Sequence, residues 1–205
     1  MGKIIITINR ESGSGGRQIA FRLGELLGIN VYDKAAIEGN KTYKSENKKV
    51  TSREAYYSQI QKMRDIAAKE SCIFVGRTGF RVFKDDPNAL KIFIFADRDM
   101  RIKRIAEKFG VNEESAAKCI DDVDNARETY TKYYAGASRY EVRNYDFTLN
   151  VSKFTIEEVA RHLAENICSL NLTSSTINAE YFSSRPMPSI QNTSHLFQAS
   201  TLTHL

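Results

Sequence analysis

Ile4-Ile5-Ile6-Thr7-Ile8-Asn9-Arg10-Glu11-Ser12-Gly13-Ser14-Gly15-Gly16-Arg17-Gln18-Ile19-Ala20 runs from consecutive apolar residues through a glycine-rich turn directly into a segment with helical apolar spacing. An apolar run without alternation marks a strand buried on both faces, here Lys3–Ile8. Ile19, Leu23, Leu26 and Leu27 then recur at helical spacing, and Gly28 stops the helix. Between strand and helix, successive backbone N–H groups of the turn converge, with the positive end of the helix dipole behind them. Such a corner suits an anion of phosphate size. A nucleotide phosphate is the expected occupant, and a tight turn without any ligand is the plainer alternative.

Outward from that corner, Ile29–Tyr32 reads as a second strand, Cys72–Val75 as a third, Leu90–Ala96 as a fourth and Asp146–Val151 as a fifth. A capping box at Thr51-x-x-Glu54 starts a helix whose inner face is Tyr56, Ile60, Met63 and Ala67. Asp97 caps another, with Ile102, Ile105, Ala106 and Phe109 inward and Gly110 closing it. Asn112, Glu113 and Glu114 open a third, running through Ala116, Ile120 and Val123 towards Tyr130 and Tyr134. A second box, Thr155-x-x-Glu158, caps a last helix buried through Ile156, Val159, Ala160, Leu163 and Ile167. Strands alternating with helices predict an α/β fold, a three-layer α/β/α sandwich around a five-stranded parallel sheet.

With 205 residues, 41% hydrophobic and 27% charged, the chain supports one sizeable core, expected within residues 1–170. From about Asn171 the residues are crowded with Ser, Thr, Asn and Gln and carry only Glu180 and Arg185 as charges, so 171–205 reads as a disordered tail. A net charge of +5 and a pI near 9.0 suit an anionic ligand, whether nucleotide or nucleic acid. Cys72, Cys119 and Cys168 are odd in number and far apart, which argues against a disulfide framework or a structural zinc site. No basic segment leads into a long apolar stretch, and no run of about 18 apolar residues occurs, so a cytoplasmic protein without a membrane partner is expected. The histidines His162, His195 and His204 are unclustered and receive no catalytic or metal role.

The glycine-rich turn fits a dinucleotide fingerprint poorly, since Gly13-x-Gly15 is followed by Gln18 where G-x-G-x-x-G needs glycine, and only Asp33 ends the second strand as an acid. As a phosphate loop of the form G-x-x-x-x-G-K-[ST], the spacing from Arg10 to Gly15 is kept, but Gly16 stands where the lysine belongs and Arg17 follows it. Arg17 is the expected replacement cation. Without Ser or Thr beside the lysine position, a direct Mg²⁺ ligand is missing, which leaves Ser12, Ser14, Gln18 or water.

Val75-Gly76-Arg77 follows the third strand at the carboxyl edge where open α/β sheets bind ligands, and Arg77 suits a phosphate there. Tyr32-Asp33-Lys34 reaches the same edge, where Asp33 either orients an acceptor or caps a helix. Asp124-Asn125-Ala126-Arg127 sets an acid and a guanidinium three apart on one helix face. The stretch of Tyr130, Tyr133, Tyr134 and Tyr140 with Lys132, Arg139 and Arg143 fits a lid, a base-stacking surface or core packing. Arg101, Arg104 and Lys108 read as a solvated helix face.

The ordered blocks at Ile6–Ala20, Val31–Lys34, Cys72–Gly79, Leu90–Arg104, Asp124–Arg127 and Asn144–Ser152 together resemble the cytidylate kinase-like family of P-loop nucleoside monophosphate kinases. The resemblance covers roughly Lys3 to Ser169. It implies transfer of the γ-phosphoryl group of ATP, with Mg²⁺ held through the nucleotide and water, to a nucleoside monophosphate, CMP or dCMP first. Ser12, Gly13, Ser14, Gly15, Gly16, Arg17 and Gln18 would hold the donor phosphates. Asp33, Arg77, Asp124 and Arg127 would hold the acceptor, and Arg17, Arg77 and Arg127 would neutralise charge during transfer. The acceptor-binding insert, about 34–70, is short for such kinases, and a helical lid is expected over about 111–143. A nucleotide-binding regulatory protein with reduced catalysis and, more remotely, a nucleic-acid-binding protein are the competing readings, although no stable nucleic-acid partner is expected.

Overall fold

Strands β1 (Ile5–Arg10), β2 (Asn30–Tyr32), β3 (Cys72–Val75), β4 (Ala89–Phe95) and β5 (Phe147–Asn150) form one five-stranded parallel sheet in the order β2-β3-β1-β4-β5. The computed structural model describes residues 3–38 and 52–169. The connecting helices are α1 (Gly16–Leu27), α2 (Lys34–Glu38), α3 (Ser52–Lys69), α4 (Gly79–Val82), α5 (Arg98–Phe109), α6 (Glu113–Ala135) and α7 (Ile156–Ser169).

The central strand is covered on both sides, as its apolar run requires. Ile4, Ile6 and Ile8 face Ile19, Leu23 and Leu27 of α1 and Val159, Leu163 and Ile167 of α7. On the opposite face Ile5, Cys72 and Phe74 meet Met63 and Ala67 of α3 together with Phe83. Each fully buried side chain of this size contributes roughly 1.5–3 kcal/mol. Burial also pushes the Cys72 thiol up to about 12, so this cysteine is a packing residue and not a nucleophile. A smaller cluster of Ile105, Ala116 and Ile120 joins α5 to α6.

Because every strand runs the same way, the residues after β1, β3 and β4 emerge at one rim. The glycine-rich loop, Gly76-Arg77 and Asp97 therefore become neighbours although they lie far apart in sequence. Helix ends follow their sequence signals. Asn112 accepts from the Ser115 N–H at 2.9 Å, and Thr155 and Glu158 form the reciprocal capping box. Gly28, Gly110 and Gly136 close α1, α5 and α6 in the left-handed conformation. Among the described residues no helix is long and apolar enough to cross a membrane.

Several local expectations shift. The first strand starts and ends two residues later than its apolar run, because β4 continues to pair with Asn9 and Arg10. Phe109, expected inward, is 58% exposed at the end of α5. On α3 it is Gln59 that is buried, while Ile60 is half-buried. Asp97 sits at the cap position of α5, yet its carboxylate accepts from Asn150 Nδ2 at 3.1 Å and makes no cap bond. Thr51 of the first capping box, residues 39–50 of the insert and the 171–205 tail lie outside the described residues.

Candidate functional site

The loop between β1 and α1 is held open by its glycines. Gly15 caps α1 at φ 83° with no side-chain cap bond of its own, and the Gly16 N–H donates to Ser14 Oγ at 3.4 Å. Gly13 has φ 79°, and a Cβ there would lie 2.8 Å from the Arg101 carbonyl oxygen. Only glycine tolerates both the backbone angle and that approach of α5.

The loop is braced by charged side chains from the next two helices. The Ser12 N–H donates to Asp124 Oδ1 at 2.9 Å, and Arg104 Nη1 donates to the Ser14 carbonyl at 2.9 Å. Arg101 Nη1 bonds Asp124 Oδ2 at 2.9 Å, and its Nε lies 3.4 Å from Glu11 Oε2. Burial raises the Glu11 carboxyl above its ordinary value, with Arg101 opposing. The solvated face expected for Arg101, Arg104 and Lys108 is thus corrected for the two arginines, while Lys108 is exposed. Arg101 is 8% exposed, because its partners arrive from β1 and α6 and cannot be seen in the periodicity of α5.

Beside the loop, at the rim of β1 and β3, a cavity of about 380 Å³ is lined by Asn9, Arg10, Lys34, Arg77, Arg127 and Arg139, with Thr78, Tyr130 and Thr131 among the rest. Among the described residues no carboxylate belongs to its lining. The nearby Asp124 is buried and shared among Ser12, Arg101, Arg127 at 3.3 Å and Arg139 at 3.6 Å, so it balances only part of the charge. Arg127 Nη1 and Arg139 Nη2 both donate to the Arg10 carbonyl oxygen. Arg139 Nη1 is buried and has no hydrogen-bond acceptor among the described residues. Burial and repulsion from Arg127, Arg139 and Arg77 lower the Arg10 guanidinium to about 9, although Asp124 opposes them. Burial and Arg139 likewise lower Arg127. A cavity that gathers these cations at the rim of the sheet is complementary to a multiply charged anion.

The rim of β3 carries backbone strain at the same place. Gly76, Arg77 and Thr78 occupy the left-handed region in succession, at φ 76°, 57° and 57°. For the two non-glycine residues this costs roughly 1–2 kcal/mol each. The Thr78 hydroxyl, which donates to the Arg77 carbonyl at 2.6 Å and lies 3.2 Å from the Tyr56 hydroxyl, fixes the turn. The result is that Arg77 joins the cavity. Around it the expected tyrosine surface is largely packing, since Tyr134 stacks on Tyr56 at 4.6 Å and Tyr130 at 4.7 Å. Of its tyrosines Tyr133, at 75%, and Tyr140, at 42%, are exposed.

Arg77 and Arg127 therefore come together, with Asp124 behind Arg127. Arg17 and Asp33 do not join them. Arg17 Nε and Nη2 donate to Asp33 Oδ2 at 3.0 and 2.8 Å, and the arginine side chain is 61% exposed. Asp33 also caps α2 by accepting from the Ala36 N–H at 3.1 Å. Burial would raise its carboxyl, but the bonds from Arg17 and the α2 backbone hold it below its ordinary value. Sequence reasoning did not single out Arg10 or Arg139. The signal for Arg10 was its place at the first glycine position of a loop whose lysine position is itself glycine.

The comparisons agree with this architecture. A crystal structure of an uncharacterized protein from Eubacterium ventriosum superposes with TM-score 0.72 at 28% identity, covering 82% of this chain and 99% of that one. Shikimate kinase from Acinetobacter baumannii, in complex with shikimate, shares the fold at TM-score 0.52 and 12% identity, covering 83% and 96% of the two chains. Shikimate kinase from Bacteroides thetaiotaomicron does so at TM-score 0.52 and 13% identity, covering 80% and 98%. No curated protein sequence matches the chain significantly. The family model of the cytidylate kinase-like family matches residues 5–47 and 39–153. With a parallel sheet of this order, a glycine-rich loop at the rim of its central strand and that match over most of its length, the chain is a P-loop kinase belonging to the cytidylate kinase-like family.

Proposed function

We propose that the chain transfers the γ-phosphoryl group of ATP to a nucleoside monophosphate, with CMP or dCMP as the first candidates. One observation carries this reading. The cavity beside the phosphate loop is lined by Arg10, Lys34, Arg77, Arg127 and Arg139 and, among the described residues, by no carboxylate, which favours an acceptor that itself bears a phosphate. In the reaction a phosphate oxygen of the acceptor attacks the γ-phosphorus as its bond to the β-bridging oxygen breaks. ADP leaves with that electron pair. The attacking oxygen is already deprotonated near neutral pH, so no general base is required.

The protein's part is positioning and neutralisation. The amides of residues 13–16 cradle the donor phosphates, Arg77 holds the acceptor phosphate, and Arg127 faces the charge that spreads over the transferring group. Asp124 acts through others by fixing Ser12, Arg101 and Arg127. Arg17, tied to Asp33, steadies the start of α1. Among the described residues no group of His, Cys, Asp and Glu is arranged to hold a metal. Mg²⁺ bound to ATP oxygens and water fits this donor set, and it supplies charge neutralisation on the phosphates.

A coupled assay with ATP·Mg²⁺ against CMP, dCMP, UMP, AMP, GMP and shikimate tests the reading. Turnover confined to one or more monophosphates supports it. Turnover of shikimate alone overturns the acceptor class, and ATP binding without any turnover replaces the enzyme with a nucleotide-binding regulator.

A further inference from the structure

The loop departs from the G-x-x-x-x-G-K-[ST] pattern at both its first glycine, which is Arg10, and its lysine, which is Gly16. The structure makes these two departures one change. A Cβ placed on Gly16 would lie 2.5 Å from Arg10 Cβ and 2.9 Å from Arg10 Cγ. A side chain at position 16 and the stem of Arg10 thus compete for one volume, and in this chain the arginine fills it. Its far end reaches the rim of β3, where a Cβ on Gly76 would lie 2.6 Å from Arg10 Nη1. The stem therefore passes along the first turn of α1, and the guanidinium lines the cavity next to the strained Gly76-Arg77-Thr78 turn.

We propose that Arg10 supplies the cation that lysine supplies in loops of the G-K type, entering from the end of β1 instead of from α1, and that it binds the terminal phosphate oxygens of the bound polyphosphate. The exchange keeps the cation at the junction of phosphate loop and acceptor cavity while changing the backbone position that carries it. The neighbouring arginine in sequence, Arg17, does not serve here, because both of its bonds go to Asp33 on the outer side of α1. The depressed Arg10 titration and the convergence of Arg127 and Arg139 on the Arg10 carbonyl agree with a site whose charge is completed by an anion. This inference deepens the phosphoryl-transfer reading and rests on it.

Calorimetric titration of the full chain with inorganic tripolyphosphate, and separately with ATP, tests it, with thermal unfolding followed in parallel. Arg10→Met, which keeps the stem and removes the charge, is expected to weaken tripolyphosphate binding about thirtyfold, and Arg10→Lys to recover most of that loss. Arg17→Met is expected to stay within about threefold of the native chain. Gly16→Lys alone should unfold at lower temperature, because its new stem meets that of Arg10. Combined with Arg10→Gly it should bind at least about tenfold more tightly than Arg10→Gly alone, which a purely steric role for residue 10 would not produce. Should Arg10→Met fail to fold, this pair of variants carries the test. Native-like binding by a folded Arg10→Met, or no gain from adding Gly16→Lys to Arg10→Gly, overturns the inference and leaves the kinase reading standing. A native chain that binds neither ATP nor tripolyphosphate removes both together.

Discussion

The two sides of helix α1's first turn handle positive charge in opposite ways. On the outer side Arg17 makes two bonds to Asp33 Oδ2 in a pair open to solvent, so its charge is answered within the protein and screened by water. On the inner side Arg101, Arg127 and Arg139 share the single carboxylate of Asp124, and Arg10 and Arg77 line the same cavity as Arg127 and Arg139. The outer arrangement sets one cation against one acid, whereas on the inner side one acid stands among three guanidinium groups. A guanidinium's sequence distance from a phosphate loop is therefore a poor guide to its function. What matters is whether the fold supplies it with a carboxylate of its own.

The largest effect expected from this contrast is on catalysis. Arg127→Ala and Arg77→Ala should each lower kcat/KM for the best monophosphate acceptor by about 10³-fold, the scale on which arginines act on a transferring phosphoryl group. Arg127→Ala should leave the fold in place, because Arg139 also holds the Arg10 carbonyl and Asp124. Steady-state kinetics with circular dichroism as a folding control would settle the point, and a loss below tenfold in both variants would deprive the inner side of its claimed role.

Next in size is the effect of removing the one acid that binds the cluster together. Asp124→Asn keeps an acceptor for the Ser12 N–H but removes the negative charge beside Arg101, Arg127 and Arg139. A buried pair broken on one side costs about 3 kcal/mol, measurable by urea unfolding. Added tripolyphosphate should return part of that loss, since an anion in the cavity substitutes for some of the missing charge. If stability were unchanged, the arginines would have to be more fully hydrated than their burial indicates.

These residues also mark where the sequence was readable. Strands, helices and caps followed from local patterns such as the Ile4–Ile8 run and the Thr155-Glu158 box, because a strand's burial and a helix's capping are decided within a few residues. Arg101 was misread since its partners, Glu11 and Asp124, belong to other elements and periodicity is blind to them. Phe109 was misread because it is the last residue of α5, next to the Gly110 cap, where the helical face that Ile105 buries is no longer covered. Arg77 and Arg127 were legible from their places after a strand and three residues from an acid. Arg10 required knowing what fills the space above Gly16, which no one-dimensional pattern states.

A smaller effect, and one with a definite sign, comes from titration. The folded-state value of Arg10 is depressed to about 9, below that of an arginine in the unfolded chain. Between those two values the unfolded chain binds more protons, so this residue's unfavourable contribution is fully present at neutral pH and is relieved as pH rises through about 9. Anion binding has the reverse sign because it needs the charged form. The affinity advantage of the native chain over Arg10→Met for tripolyphosphate should therefore shrink above pH 9, by up to about tenfold per pH unit. An advantage that stays constant to pH 10 would separate the affinity from this guanidinium.

The smallest effect belongs to the outer side, and it bears most directly on the contrast. Arg17→Ala deletes both bonds to Asp33 Oδ2, but the arginine side chain is 61% exposed and Asp33 keeps its bond from the Ala36 N–H. An exposed pair of this kind contributes less than about 1 kcal/mol, and less again in 0.5 M salt. Because the Asp33 carboxyl is held below its ordinary value, whatever stability the pair adds is present at neutral pH and is lost as pH falls through the carboxyl's folded value. Chemical denaturation of Arg17→Ala at pH 7 and in mild acid should show a small deficit that closes with acidification, while ATP affinity at pH 7 stays within about threefold of native. If ATP binding instead fell as steeply as activity does in Arg77→Ala, Arg17 would have to leave Asp33 for the phosphates when nucleotide binds. The outer pair would then be a latch on the loop and not the self-sufficient counterpart of the inner cluster.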